Sequence, residues 1–298
     1  MGNRKIRMSR QDQIFHIVNN SILFLLMLVI LYPLYFIVIA SFSDPYAVGQ
    51  GKVWLFPVGI TFEGYEKVFS NSSIWSGYIN SFIYMGLGTF INVCITVPAG
   101  YALSRKDMRG RKFVTLMMIF TMFFSGGVIP TFLLVQNLGI YDTIWAMVLP
   151  NAMNVMNVII CRTFFETTLP DNLLEAAFMD GCSDLRFFFR IALPLCKSVV
   201  MIMVLFYAVT HWNSYFDALI YLRDSSKYPL QIILRDILTS NEASALSGLN
   251  DDSQAKLQRV TELIKYSTII FSNLPLLVLY PFIKKYFKKG VMIGAIKG

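Results

Sequence analysis

Residues 175–194 read EAAFMDGCSDLRFFFRIALP, and the rest of the chain is organised around them. The pattern is helix, glycine, helix. Pro170 and Asp171 open the first segment, as proline does at a first helical position and an acid does near the positive helix end. Gly181 stands where a left-handed residue ends a helix. Ser183 and Asp184 are placed to cap a second segment, and Pro194 to stop it. The first segment presents Leu174, Ala177 and Phe178 at helical spacing. The second presents Leu185, Phe188, Phe189 and Ala192, with Phe187 and Ile191 alongside. A loop outside a membrane shows that much apolar surface only if a partner covers it. The alternative is an amphipathic hairpin lying on the membrane surface. Glu175, Asp180 and Asp184 oppose it, because they would meet anionic lipid.

Membrane-length apolar runs lie on both sides of this stretch. The chain has 298 residues, 55% hydrophobic and 15% charged, where soluble domains carry about one quarter charged residues. The net charge of +8 comes from short basic clusters beside apolar runs, a membrane pattern rather than a nucleic-acid one. Cys94, Cys161, Cys182 and Cys196 form no CxxC pair, so neither a disulfide framework nor a zinc site is indicated, and packing is the expected role.

Apolar runs of about 20 residues suit bilayer crossing. They predict spans at about Ser21–Phe42, Ile79–Leu103, Phe113–Val135, Thr143–Phe165, Val199–Leu222 and Tyr266–Ile283. Ser21–Phe42 is too long for a signal-peptide core and is kept as a helix kinked at Pro33. With both ends inside, 18 of the 26 basic residues are cytoplasmic and 8 outside, and most of those eight fall in one long loop. The expected division is a cytoplasmic segment 1–20, a six-helix transmembrane domain 21–283 and a cytoplasmic tail 284–298. Within it, the 166–198 loop faces the cytoplasm and the 223–265 loop faces outside.

The central stretch closely resembles the EAA motif of bacterial ABC importer permeases. Glu175, Ala176, Ala177, Asp180, Gly181, Phe188 or Phe189, Ile191, Leu193 and Pro194 match the family pattern. Cys182 replaces its usual alanine, and Ser198 stands where a proline often follows. Two further stretches resemble the carbohydrate-type members: the tail GVMIGAIKG, Gly290–Gly298, and HWNSYFDALIYL, His211–Leu222. The resemblance covers about residues 75–298. It implies an all-α, type I ABC importer transmembrane fold in a bacterial cell membrane, with a five-helix core and a first helix bracing a partner. The implied partners are a second, non-identical permease, an ATP-binding subunit dimer, an extracellular solute-binding protein and a carbohydrate. It also implies that Glu175 faces a basic group on the ATPase, and that Gly294, Ala295 and Lys297 in the tail reach the ATPase.

No G-x-x-x-x-G-K-[ST] phosphate loop occurs, so ATP and its Mg are expected on a separate ATPase chain. No H-E-x-x-H or G-x-S-x-G occurs either. His16 and His211 are the two histidines, and no catalytic or metal site is read. Candidates for a substrate path are Trp212, Asn213, Tyr215 and Asp217, with Asn151 and Asn154, which share a helix face with Asn157. Sugars offer apolar C–H faces and hydroxyl rims, which aromatics, amides and acids suit. Interface belts and helix–helix hydrogen bonds explain the same residues equally well. Other cargo, such as glycerol phosphate or a polyamine, stays open. A six-span membrane enzyme would need a reactive cluster that the sequence does not contain.

Overall fold

The computed structural model describes residues 9–245, 264–278 and 281. All regular secondary structure among them is helical. The expected tail contacts Gly294, Ala295 and Lys297, and the middle of the 223–265 loop, lie outside the described residues.

The chain divides into two compact units. The first comprises residues 1–70 and 237–271. Helix α1, Arg10–Ser41, starts well before Ser21, the expected beginning of the first span. The Ser9 hydroxyl accepts from the Asp12 N–H, and the Asp12 carboxylate accepts from the Ser9 N–H. This capping box starts the helix in its polar stretch. Residues 9–35 are all exposed, Pro33 among them. A small core follows, of Ile39, Ala40, Ala47, Val48 and Val53, with Phe36 and Tyr266 against it. It ties the end of α1 to α2, Pro45–Gly49. Helix α3, Glu63–Ser70, is joined through the hydroxyl pair Ser41–Tyr65 at 2.9 Å.

The second unit, residues 71–236 and 272–298, is built on α4, Ser72–Ser104. Asn71 caps it by accepting from the Ser73 N–H at 3.0 Å. Helix α4 packs along α8, Val155–Thr168, and α12, Lys197–Trp212. Close approach needs glycine at two points. A Cβ at Gly100 would stand 2.5 Å from the Cβ of Cys161, and one at Gly88 would meet the His211 ring.

Three expected single spans are broken. The third is α5, Arg111–Phe123, and α6, Val128–Asn137, bent by 112° where Gly126 and Gly127 intervene and Gly127 takes φ +85°. The fourth is α7, Ile144–Val148, and α8, separated by Leu149–Asn154. Pro150 contributes to that break, since it has no N–H to carry the helical ladder on from the Ala146 carbonyl. The fifth is α12 and α13, Phe216–Tyr221, separated by Asn213–Tyr215. The expected 223–265 loop contains α14, Leu230–Ala245, and the last described helix, α15, spans Ile264–Val278. Among the described residues two helices, α1 and α4, are long and apolar enough to cross a membrane. Two bent pairs pass the same test jointly, which makes four.

Candidate coupling hairpin and polar breaks

The hairpin is helix α9, Asp171–Met179, a reversal at Asp180–Ser183, and a second helical segment, Asp184–Leu195. Pro170 forms the N-cap, one position before the first helical residue, rather than taking that first helical position as expected. Gly181 takes φ +74°. Its N–H donates to the Phe178 carbonyl at 3.0 Å, and the Cys182 N–H donates to the Ala177 carbonyl at 2.9 Å. These are the paired bonds of a Schellman reversal, and they satisfy two helix-end carbonyls. Ser183 occupies the next cap position, but its side chain makes no capping bond.

The second segment does not stop at Pro194. It runs as α10, Asp184–Phe187, a π-helical turn, Phe188–Ala192, and α11, Leu193–Leu195. Pro194 has no N–H for the Arg190 carbonyl four residues earlier, and the ladder widens in that turn. The break comes at Cys196, where the axis bends by 80° into α12.

The apolar face expected to meet a partner is mostly used inside the chain. Ala177, Phe187, Phe188 and Ala192 are buried with Val97, Tyr101, Cys161 and Phe165, and Leu174 and Ile191 pack against them. The rings of Tyr101 and Phe188 stand 4.9 Å apart. Left uncovered are Met179, 89% exposed, and Leu185, 72% exposed, one on each side of Gly181, together with Phe178 and Phe189. Glu175, Ala176 and Asp180 share the exposed side, as does Pro194 further along, while Leu193 is half-buried. The two alanines of the motif thus differ: Ala177 closes the core and Ala176 faces outward.

Sequence reasoning counted Arg105 only as a membrane-flanking charge. Its side chain is 12% exposed. Nε and Nη2 donate to the two Asp107 carboxylate oxygens at 3.0 and 2.8 Å, and Nη1 donates to the Tyr101 hydroxyl at 3.0 Å. The same guanidinium lies 3.4 Å from the Asp184 carboxylate and over the Phe178 ring at 5.4 Å. It therefore joins the end of α4 to both arms of the hairpin. The Arg105 bonds hold the Asp107 carboxyl below its usual range. Lys106 pairs with Asp171 at 2.5 Å. These residues line a cleft of about 620 Å³ beneath α9. No sequence signal distinguished Arg105 from its basic neighbours.

The polar candidates cluster at the breaks. Asn151 and Asn154 lie between helices rather than on one helix face. The Asn151 side-chain amide donates to the Asp217 carboxylate at 2.9 Å, and the Asn151 backbone carbonyl accepts from the Asn92 side chain at 3.0 Å. Asn154 caps α8 by accepting from the Asn157 N–H, and its own N–H donates to the Tyr207 hydroxyl at 3.2 Å. That hydroxyl also pairs with Thr96 at 2.6 Å. Asn213 donates to the Val209 carbonyl, and its residue is exposed, as is Tyr215. Trp212 is instead buried. Its ring centroid lies 5.2 Å from Phe82 and 5.7 Å from Tyr78, and its N–H donates to the Ser272 carbonyl. Asn92 Oδ1, Thr89 Oγ1 and His211 Nε2 are buried without a hydrogen-bond partner among the described residues.

At the other end of α4 a second charged hub appears. The Asp142 carboxylate accepts from the N–H groups of Arg223 and Asp224 at 3.0 and 3.1 Å, and from Lys227 at 2.9 Å. Its N–H donates to the Tyr221 carbonyl at 2.9 Å. The two backbone donors and the lysine hold its pKa down to about 2. The 225–228 turn that follows docks on α4, where Tyr84 and Asn80 donate to the carbonyls of Lys227 and Ser226.

Apolar helices of membrane-crossing length, interrupted by polar breaks, define an integral membrane protein. The chain belongs to the family of binding-protein-dependent transport system inner membrane components, whose pattern matches residues 72–241. Among relatives, the polygalacturonan/rhamnogalacturonan transport system permease protein YtcP of Bacillus subtilis is 36% identical, over 97% of this chain and all of that one. Protein LplC of Bacillus subtilis is 39% identical over 89% of each chain. A chain from the crystal structure of a bacterial ABC transporter involved in the import of the acidic polysaccharide alginate superposes with a TM-score of 0.84. It has 34% identity, and the match covers 95% of this chain and 100% of that one.

Proposed function

We propose that this chain is one permease subunit of an ATP-driven importer for oligosaccharides or related carbohydrates. It crosses the bacterial cell membrane six times with both termini cytoplasmic and pairs with a second, non-identical permease. ATP and Mg are bound by a separate ATPase dimer, and an extracellular solute-binding protein delivers the cargo. Family membership and the carbohydrate relatives support the cargo class.

The observation that carries the coupling role is the hairpin tip. Met179 and Leu185 flank a reversal fixed by two backbone bonds and are the most exposed apolar side chains of the hairpin. Burying one such side chain contributes about 1.5–3 kcal/mol, so two of them seat the tip in an ATPase cleft. Glu175 and Asp180 flank the seat and fix its register. When the cleft closes, Arg105 carries the motion to α4, and the bend at Cys196 carries it to α12. Rigid-body alternation of an inward-open and an outward-open state follows. Asn151, Asn154, Asn213, Tyr215 and Asp217 line the solute path, because the breaks at 149–154 and 213–215 gather polar side chains at helix interruptions.

The test is solute-stimulated ATP hydrolysis by the reconstituted assembly with its binding protein. Oligosaccharides are expected to stimulate it. Stimulation by glycerol phosphate or a polyamine, with none by any oligosaccharide, would contradict the cargo assignment.

A further inference from the structure

Outside the hairpin, a cleft of about 670 Å³ opens between the first half of α5 and the Arg162 turn of α8. Lys106, Arg111, Lys112 and Arg162 line it, with the Thr115 hydroxyl. Glu166 serves two of these cations at once, Arg111 at 2.7 Å and Arg162 at 3.2 Å. Asp171 takes Lys106. Lys112 is exposed and makes no ion pair among the described residues. Four cations against two carboxylates leave an excess of two positive charges. Arg162 Nη1 also donates to Thr115 at 3.3 Å, which fixes the guanidinium between the two helices.

The remaining wall is aliphatic: Met108, Leu116 and Ile119. Helix α5 buries none of its residues, so Phe113, Leu116 and Phe120 extend this apolar surface. At 1.5 Å per residue, Ile119 lies about 12 Å beyond Arg111 along the helix. A ligand for this cleft therefore needs an anionic head and about that length of hydrocarbon. A free anion uses the cations and gains nothing from Leu116 and Ile119. A phospholipid uses both.

We propose that the cleft binds an anionic phospholipid. Its phosphodiester sits among Arg111, Lys112 and Arg162, and an acyl chain lies along Leu116 and Ile119. Basic clusters at the inner end of membrane helices attract such headgroups. The lipid bridges α5 and α8 next to the 105–110 segment that holds the hairpin. It therefore steadies the coupling end whatever solute is carried.

The experiment uses the assembly purified with its partner chains in nanodiscs of phosphatidylcholine, with or without phosphatidylglycerol. Native mass spectrometry counts the retained phosphatidylglycerol, and inorganic phosphate serves as a competing free anion. Lys112→Gln is expected to lower retention about fivefold, the effect of one basic residue near a lipid surface. Arg162→Gln is expected to lower it similarly, and Arg109→Gln, which lies outside the cleft, to leave it unchanged. Excess phosphate is expected to displace no lipid. The proposal is overturned if Lys112→Gln and Arg162→Gln retain lipid as the parent does, or if phosphate alone displaces it. A direct cross-link from Lys112 to a partner subunit would overturn it as well. None of these outcomes bears on solute-stimulated ATP hydrolysis, so the transport reading stands or falls separately.

Discussion

Two charged hubs flank helix α4, Asp142 acting through the 225–228 turn and Arg105 at the helix end, and they differ in what they leave open. At one end Asp142 gathers two backbone N–H groups and Lys227, and the loop it organises folds back onto Tyr84 and Asn80. That end is closed on itself. At the other, Arg105 gathers Tyr101, Asp107, Asp184 and Phe178, and the hairpin it holds still presents Met179 and Leu185 to solvent. A charged hub that satisfies backbone donors makes a staple. A charged hub that grips two arms of a hairpin and leaves its apolar tip bare makes a handle.

The largest effect is expected from breaking the reversal of the handle. Gly181→Pro cannot reach φ +74°, and it loses the bond to the Phe178 carbonyl. The local cost is about 3 kcal/mol, enough to displace α9. Membrane insertion should persist while solute-stimulated ATP hydrolysis disappears. Normal stimulation in this variant would remove the coupling role of the reversal.

Next is Arg105→Ala, which strips the hub and leaves Asp107 and Asp184 without their cation. About 2–3 kcal/mol of local stability is expected to go. Proteolysis of the 166–198 segment should accelerate. Arg105→Lys should recover only part, since a lysine cannot fork to both Asp107 oxygens. Full recovery by lysine would reduce the hub to a simple charge.

The staple predicts a smaller, pH-dependent effect. The Asp142 pKa of about 2 lies below the ordinary carboxylate value near 3.9. Its stabilisation is therefore complete above about pH 4 and fades as the pH falls toward 2. The thermal midpoint of Asp142→Asn should lie below that of the parent at pH 7, and the gap should narrow as the solution is acidified. A gap that stays constant down to pH 3 would show that the carboxylate charge is not what staples this end.

The same contrast explains what was legible in the sequence. The hairpin reversal is local: Gly181, its flanking helices and their spacing lie within a few residues, so the turn could be read directly. The links each hub makes across the fold are not local. Lys227 lies 85 residues from Asp142, and Arg105 on α4 reaches Asp184 and Phe178 in the hairpin. Composition cannot say which of several neighbouring cations faces which acid. Hydrophobicity alone also hid the span breaks, because a run such as Thr143–Phe165 stays apolar across Pro150 and Asn151 while the backbone leaves the helix. The apolar face of the hairpin was visible, but not its destination. Phe187 and Phe188 pack on Tyr101 inside the chain, and Met179 and Leu185 at the tip are the side chains left most exposed.

The most direct test of the handle is co-purification of the ATPase with a Met179→Asp, Leu185→Asp double variant. Both side chains are exposed, so the variant should reach the membrane with unchanged helical content and thermal midpoint. The account predicts that the ATPase is lost from the purified assembly. ATPase retained at the parent level, with solute-stimulated hydrolysis intact, would contradict it.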